Sequence, residues 1–137
     1  MADAGLLITE FLAERPKSMY LNIGVDDVAL GLFSRVEDPD LIHQQESSLC
    51  GPAAFLKAVA EDMPDVYARY VINLFKTGRG RIGTLDVKPS ADCRRGYYKG
   101  ARIAPVDWIA LASLRDSENL VLDYDSPTAR PAASPCP

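Results

Sequence analysis

At 137 residues the chain suits one domain with one core: domains average roughly 150 residues, and a chain of this size buries about two thirds of its unfolded surface. Apolar residues at 47% and charged residues at 25% exclude collagen, coiled coil and disorder over most of the length. The net charge of −4 argues against a generally basic nucleic-acid binder, and no apolar run approaches the ~20 residues of a membrane-spanning helix.

Residues 3–14 place Leu6, Leu7, Phe11 and Leu12 close to a helical period, and Pro16 closes the segment. Residues 18–23 read as a short strand or an extended connector. After Gly24 a second helix is expected, with Asp26 as its cap and Val28, Leu32 and Val36 on one face. The EDPD stretch at 37–40 reads as a turn. Ser47 and Ser48 are cap residues, Pro52 suits a first helical turn, and AAFLKAVAEDM has strong helical composition. Pro64 opens a further helix with a wide apolar face, and Gly78 stops it.

From 78 to 104 the texture changes to loops with one or two short strands, RIGTLDV being the clearest. Eight basic and two acidic residues between Lys76 and Arg102 make this stretch +6. Residues 105–114 return to helix with Trp108, Leu111 and Ala112 turned inward, and LVLDY at 120–124 reads as a strand. The composition implies one domain over 1–126 and a Pro/Ala-rich disordered tail over 127–137.

Cys50, Cys93 and Cys136 are too few and too odd in number for a disulfide framework. The N-terminus has no basic leader. The expected setting is cytoplasmic with free thiols, or secreted by a route that needs no cleavable signal. Three scattered cysteines and one histidine give no paired metal-ligand spacing, so neither metal nor cofactor is expected. GRGRIG at 78–83 lacks the Lys-Ser/Thr ending of a phosphate loop and reads as a turn.

The sharpest chemical feature is QQESSLCGPAAFL, residues 44–56. It sets a cysteine where a helix begins, and the unpaired amides and dipole of a helix N-terminus stabilise a thiolate. Gly51 removes a side chain beside the sulfur. Gln44, six residues upstream, is positioned to fold back and donate its amide to the oxyanion of a tetrahedral intermediate; Gln45 is the fallback. Taken alone, a cysteine at a helix start is usually an ordinary small buried hydrophobe. Cys93, amid Asp92, Arg94 and Arg95, has the charge setting for a lowered pKa but no second supporting feature.

The string Gln44, five residues, Cys50-Gly51-Pro52-Ala53-Ala54 resembles the nucleophile motif of papain-like cysteine peptidases. Its spacing is similar to that of the bacteriocin-processing peptidases of ABC exporters, and to the cysteine peptidase-like toxin domains of type VI and Rhs effectors. The resemblance rests on about a dozen residues. It implies an α+β, papain-like fold with a helix-rich N-terminal portion and a central helix starting at the cysteine, the strand part being reduced or missing. It implies Cys50 as nucleophile and Gln44 as oxyanion donor in an effector domain that cleaves a peptide bond through a thioester, with a protein or peptide substrate and an immunity protein as partners. Such peptidases carry a histidine after the cysteine. Here the one histidine, His43, precedes Cys50 by seven residues. Three accounts compete: a histidine beyond this sequence, an inactive relative, or His43 as base in an unusual geometry or across a dimer.

Two further readings stand beside this one. A thiol amidase or deamidase would use the same chemistry on glutamine or peptidoglycan amides. A non-enzymatic binding module would use the basic loop 76–102, where Arg79, Arg81, Arg94, Arg95, Lys99 and Arg102 with Tyr97 and Tyr98 form either a phosphate-and-stacking surface or an ordinary solvated loop. Membrane partners are not expected, and nucleic acid is disfavoured by the overall charge.

Overall fold

The computed structural model describes residues 4–42, 50–98 and 103–117, without the side chains of Cys50, Gly51 and Pro52. In chain order the elements are α1 (Ala4–Glu14), α2 (Val25–Glu37), a 3-10 turn (Pro39–Leu41), α3 (Cys50–Asp62), α4 (Pro64–Thr77), β1 (Gly80–Ile82), β2 (Leu85–Val87), α5 (Ala91–Arg95) and α6 (Pro105–Asp107). A π-helical segment, Trp108–Ala112, continues α6, and residues 113–117 return to α-helix. The described part is therefore helix-rich with one small antiparallel sheet, an α+β arrangement with few strands. The expected strand at 120–124 and the tail at 127–137 lie outside the described residues.

Helix α4 is the axis of the fold. Its sequence buries Tyr67, Ala68, Tyr70, Val71, Ile72, Leu74 and Phe75, too wide an arc for a helix packed on one side only. Helix α1 lies against it through Ile8 and Phe11, whose ring meets Phe75 edge-on at 5.1 Å. Helix α3 packs on α4 and on the π-helical segment, burying Leu56, Val59 and Ala60. Strand β1 covers another flank of α4. That approach is close enough that a Cβ on Gly80 would sit 2.9 Å from the Tyr70 carbonyl oxygen, so only glycine fits there.

Local chemistry explains most boundaries. Gly78 ends α4 at φ 79°, in the left-handed region that glycine adopts without strain. Gly83, at φ 62°, takes the first position of the two-residue loop joining β1 to β2, the place a tight hairpin reserves for glycine. Pro64 and Pro105 stand in first turns, where a missing N–H costs nothing.

One expectation changes and two become specific. Of the two readings of residues 18–23, the connector is the one the structure shows, tied down by Met19 N–H to the Phe75 carbonyl at 2.8 Å and Leu21 N–H to the Arg94 carbonyl at 3.0 Å. Asp26 does not cap α2. Gly24 holds the cap position with no side-chain bond, and Asp26 instead pairs with Arg15 at 3.0 and 3.1 Å. The EDPD stretch forms a 3-10 turn in which Asp38 accepts from the Asp40 N–H.

Helix α2 meets α6 across a join that allows no extra atom. A Cβ on Gly31 would lie 2.5 Å from Val106 Cγ1. Beside this contact Arg35 Nε and Nη2 donate to the two Asp107 carboxylate oxygens at 2.9 and 3.0 Å. Their side chains are only 13% and 3% exposed, so this bidentate pair is a desolvated clamp rather than a surface decoration.

Candidate functional site

Cys50 is the first residue of α3. The first-turn amides of a helix have no partner further back in the helix, and the dipole adds partial positive charge at that end. Pro52 in this turn contributes no N–H. Ala53 is buried while Ala54 and Phe55 face outward, so the helix is anchored through Ala53 and Leu56 one turn beyond the sulfur's residue. Residues 43–49 lie outside the described residues, and with them His43, Gln44, Gln45, Ser47 and Ser48.

Cys93 is a different thiol. It occupies the third position of α5, whose cap is Ser90: the Ser90 hydroxyl accepts from the Cys93 N–H at 3.2 Å. The flanking arginines suggested a lowered pKa; the structure reverses that. Burial, with Asp116 adding to it, pushes the thiol up to about 12, against smaller downward pulls from a hydrogen bond with Ser113 and from Arg94. At neutral pH this sulfur stays protonated and inert. The Tyr20 hydroxyl shares a hydrogen bond with the buried Ser113 hydroxyl, and burial holds Tyr20 above the ordinary phenol range. The Trp108 indole donates to the Cys93 carbonyl at 3.0 Å and packs on Tyr97 at 5.9 Å. This corner locks α5 and the connector onto the C-terminal helix.

The basic stretch is divided rather than gathered. Arg81 pairs across the hairpin with Asp86 at 2.9 Å, Lys76 with Glu14 at 3.0 Å and Arg95 with Asp92 at 3.4 Å. These pairs are largely exposed and individually weak. Tyr97 is buried, its hydroxyl donating to the Ile103 carbonyl at 3.1 Å, so its ring is not free for base stacking; Tyr98 is exposed. Lys99 and Arg102 lie outside the described residues. Arg79 and Arg81 stand instead beside Asn73 and Thr77 on an open cleft of about 310 Å³. GRGRIG is the left-handed stop of α4 followed by β1, rather than a turn throughout.

Sequence reasoning passed over Arg35, Asp107 and Tyr67. Tyr67 is fully buried, its hydroxyl has no hydrogen-bond partner among the described residues, and it lies within the fields of Asp107 and Arg35. An arginine on one helix and an aspartate on another are common, so only their juxtaposition marks them. Among the described residues no group of three or more His, Cys, Asp or Glu is arranged to hold a metal ion, and no helix is long and apolar enough to cross a membrane. No protein-family model, curated protein or solved structure matches the chain.

Proposed function

We propose that this chain carries the nucleophile side of a papain-like cysteine peptidase domain, acting as an effector on a peptide bond, with Cys50 as nucleophile and Gln44 as oxyanion donor. The observation that supports this reading is the position of Cys50 as first residue of α3, a helix of 13 residues anchored on α4 one turn beyond it. In the proposed reaction the Cys50 thiolate attacks the carbonyl carbon, a C–S bond forms, and the oxyanion is met by the Gln44 amide and helix-end N–H groups. Collapse of the tetrahedral species breaks the C–N bond, the departing amine takes a proton, and water hydrolyses the thioester. That proton needs a carrier, and the absence of a general acid costs ~10²–10⁴-fold. His43 is the histidine this sequence offers.

Thiol reactivity tests the nucleophile without depending on that carrier. Alkylation with iodoacetamide is followed against pH in a Cys136→Ser background, with peptide mapping to separate the two remaining thiols. The expected result is an apparent Cys50 pKa well below the free value of ~8.5, while Cys93 stays unreactive until far more alkaline pH. A Cys50 value at or above that of a free thiol overturns the reading. Intact-mass analysis of peptide substrates then separates backbone cleavage from deamidation, which adds one mass unit.

A further inference from the structure

Helix α2 is fixed along its inner side. Gly31 lets it approach α6 so closely that a Cβ there would lie 2.5 Å from Val106 Cγ1, and Arg35 is held by both Asp107 carboxylate oxygens. The opposite side has a pattern of its own. Asp26, Leu30, Phe33 and Glu37 are four, three and four residues apart, which sets them in one stripe of about 16 Å along the helix. Leu30 is 69% exposed and Phe33 38%. Single exposed apolar side chains are ordinary on protein surfaces. Here two stand one turn apart on one face, with a carboxylate beyond each end.

The charge around this pair has one sign. Arg35, the one basic residue of α2, is turned inward, and Arg15 matches Asp26. Asp27 in the first turn, Glu37 in the last, and Asp38 and Asp40 around the 3-10 turn that follows form no ion pair among the described residues. These like charges narrow the occupant. A nucleic acid or an anionic lipid surface would bring phosphates against them. A second copy docked by the same face about a two-fold axis would set carboxylates against carboxylates. A basic segment meets neither opposition. A helix face also offers no free backbone groups to an extended strand, so the segment that fits it satisfies its own backbone, as a helix does.

We propose that the outer face of α2 docks a basic amphipathic helix of a partner protein, whose apolar side covers Leu30 and Phe33 and whose basic side chains reach Asp27 and Glu37. Because α2 is pinned from behind, little ordering of the platform is lost on binding. Charge complementarity of this kind sets orientation and association rate more than raw affinity. The face uses no residue of the proposed hydrolase chemistry, and stands or falls apart from it.

The test uses the full chain and a fluorescein-labelled amphipathic peptide of leucine, lysine and alanine, about 15 residues long. Anisotropy and the side-chain chemical shifts of Leu30 and Phe33 report binding, which is expected to weaken as salt is raised. Leu30→Ser/Phe33→Ser should weaken it by about tenfold, and Asp27→Asn/Glu37→Gln by about threefold at low salt. Leu85→Ser, on the hairpin, should leave it unchanged, and far-UV circular dichroism checks that each variant is folded. A companion peptide with glutamate in place of every lysine should not bind. The proposal is overturned if the lysine peptide does not bind, if the glutamate peptide binds as tightly, or if Leu85→Ser weakens binding as much as the double apolar variant does. It is equally overturned if oligothymidylate, anionic vesicles or self-association of the chain, followed by sedimentation, shifts the Leu30 and Phe33 signals and the lysine peptide does not.

Discussion

Two tyrosines one turn apart on α4 are both buried, and they differ in what their hydroxyls meet. Tyr70 donates to the Ala110 carbonyl at 2.8 Å, tying α4 to the π-helical segment, whereas the Tyr67 hydroxyl has no such partner among the described residues. A buried hydrogen bond contributes about 1 kcal/mol net, while an unsatisfied buried polar group costs about 1–3 kcal/mol. Deleting the two oxygens should therefore act in opposite directions. Tyr70→Phe is expected to lower stability by ~1 kcal/mol, and Tyr67→Phe to leave it unchanged or raise it by up to ~1 kcal/mol. Urea unfolding of the two variants side by side checks this. A clear loss in Tyr67→Phe would show that its hydroxyl has a partner after all. Neither residue was distinguishable in the sequence, because each simply fills an apolar position of the helix.

At the scale of elements, the helices were the legible part and their joins were not. Pro64, Gly78 and the small-residue run after Pro52 mark α3 and α4 with stereochemistry that operates locally. The hairpin was legible in RIGTLDV for the same reason. Helix α5 was missed: only five residues long, it has no room for a period, and its signal is Ser90 acting as a cap three residues before Cys93. The α2–α6 join could not be read at all, since Arg35 and Asp107 are 72 residues apart. That join carries a definite energetic consequence. Removing Asp107 leaves the largely buried Arg35 guanidinium without its carboxylate, at a cost of about 3–5 kcal/mol, whereas replacing both with apolar groups avoids much of it. Asp107→Leu is thus expected to destabilise strongly, and Arg35→Met/Asp107→Leu to recover a substantial share. Denaturant midpoints of the single and double variants measure the difference. Equal losses in the two would mean that the clamp does more than neutralise its own charges.

Among the described residues one core joins α1, α2, α3, α4, β1 and the C-terminal helical run. The position of Cys50 at the head of α3 was legible too, because proline and small residues follow it. Two clefts beside Asn73 on α4 were not, since they need α1, α4 and the hairpin to be assembled first. Having one core, the molecule should unfold cooperatively, and its buried acidic hydrogens set how that unfolding responds to alkali. The Cys93 thiol is raised from 9.0 to about 12, and burial raises Tyr20 and Tyr67 above the ordinary phenol value of 10.0. In the unfolded chain these groups release their protons at the ordinary values, while the folded chain retains them. The unfolded state then binds fewer protons, so stability falls with rising pH once the unfolded thiol titrates near 9.0. Below that point these three groups are neutral in both states and contribute no slope. A Cys50 thiolate with a lowered folded pKa acts in the other direction, and its contribution ends only once the unfolded thiol is fully titrated, about one pH unit above its unfolded value. The melting temperature should therefore decline above about pH 10, with Trp108 fluorescence and far-UV circular dichroism giving the same midpoint. Cys93→Ala should make the decline shallower, whatever it does to stability at neutral pH. A slope in Cys93→Ala identical to that of the native chain would mean that this thiol is solvated in solution, and that the corner joining α5 to the C-terminal helix is open.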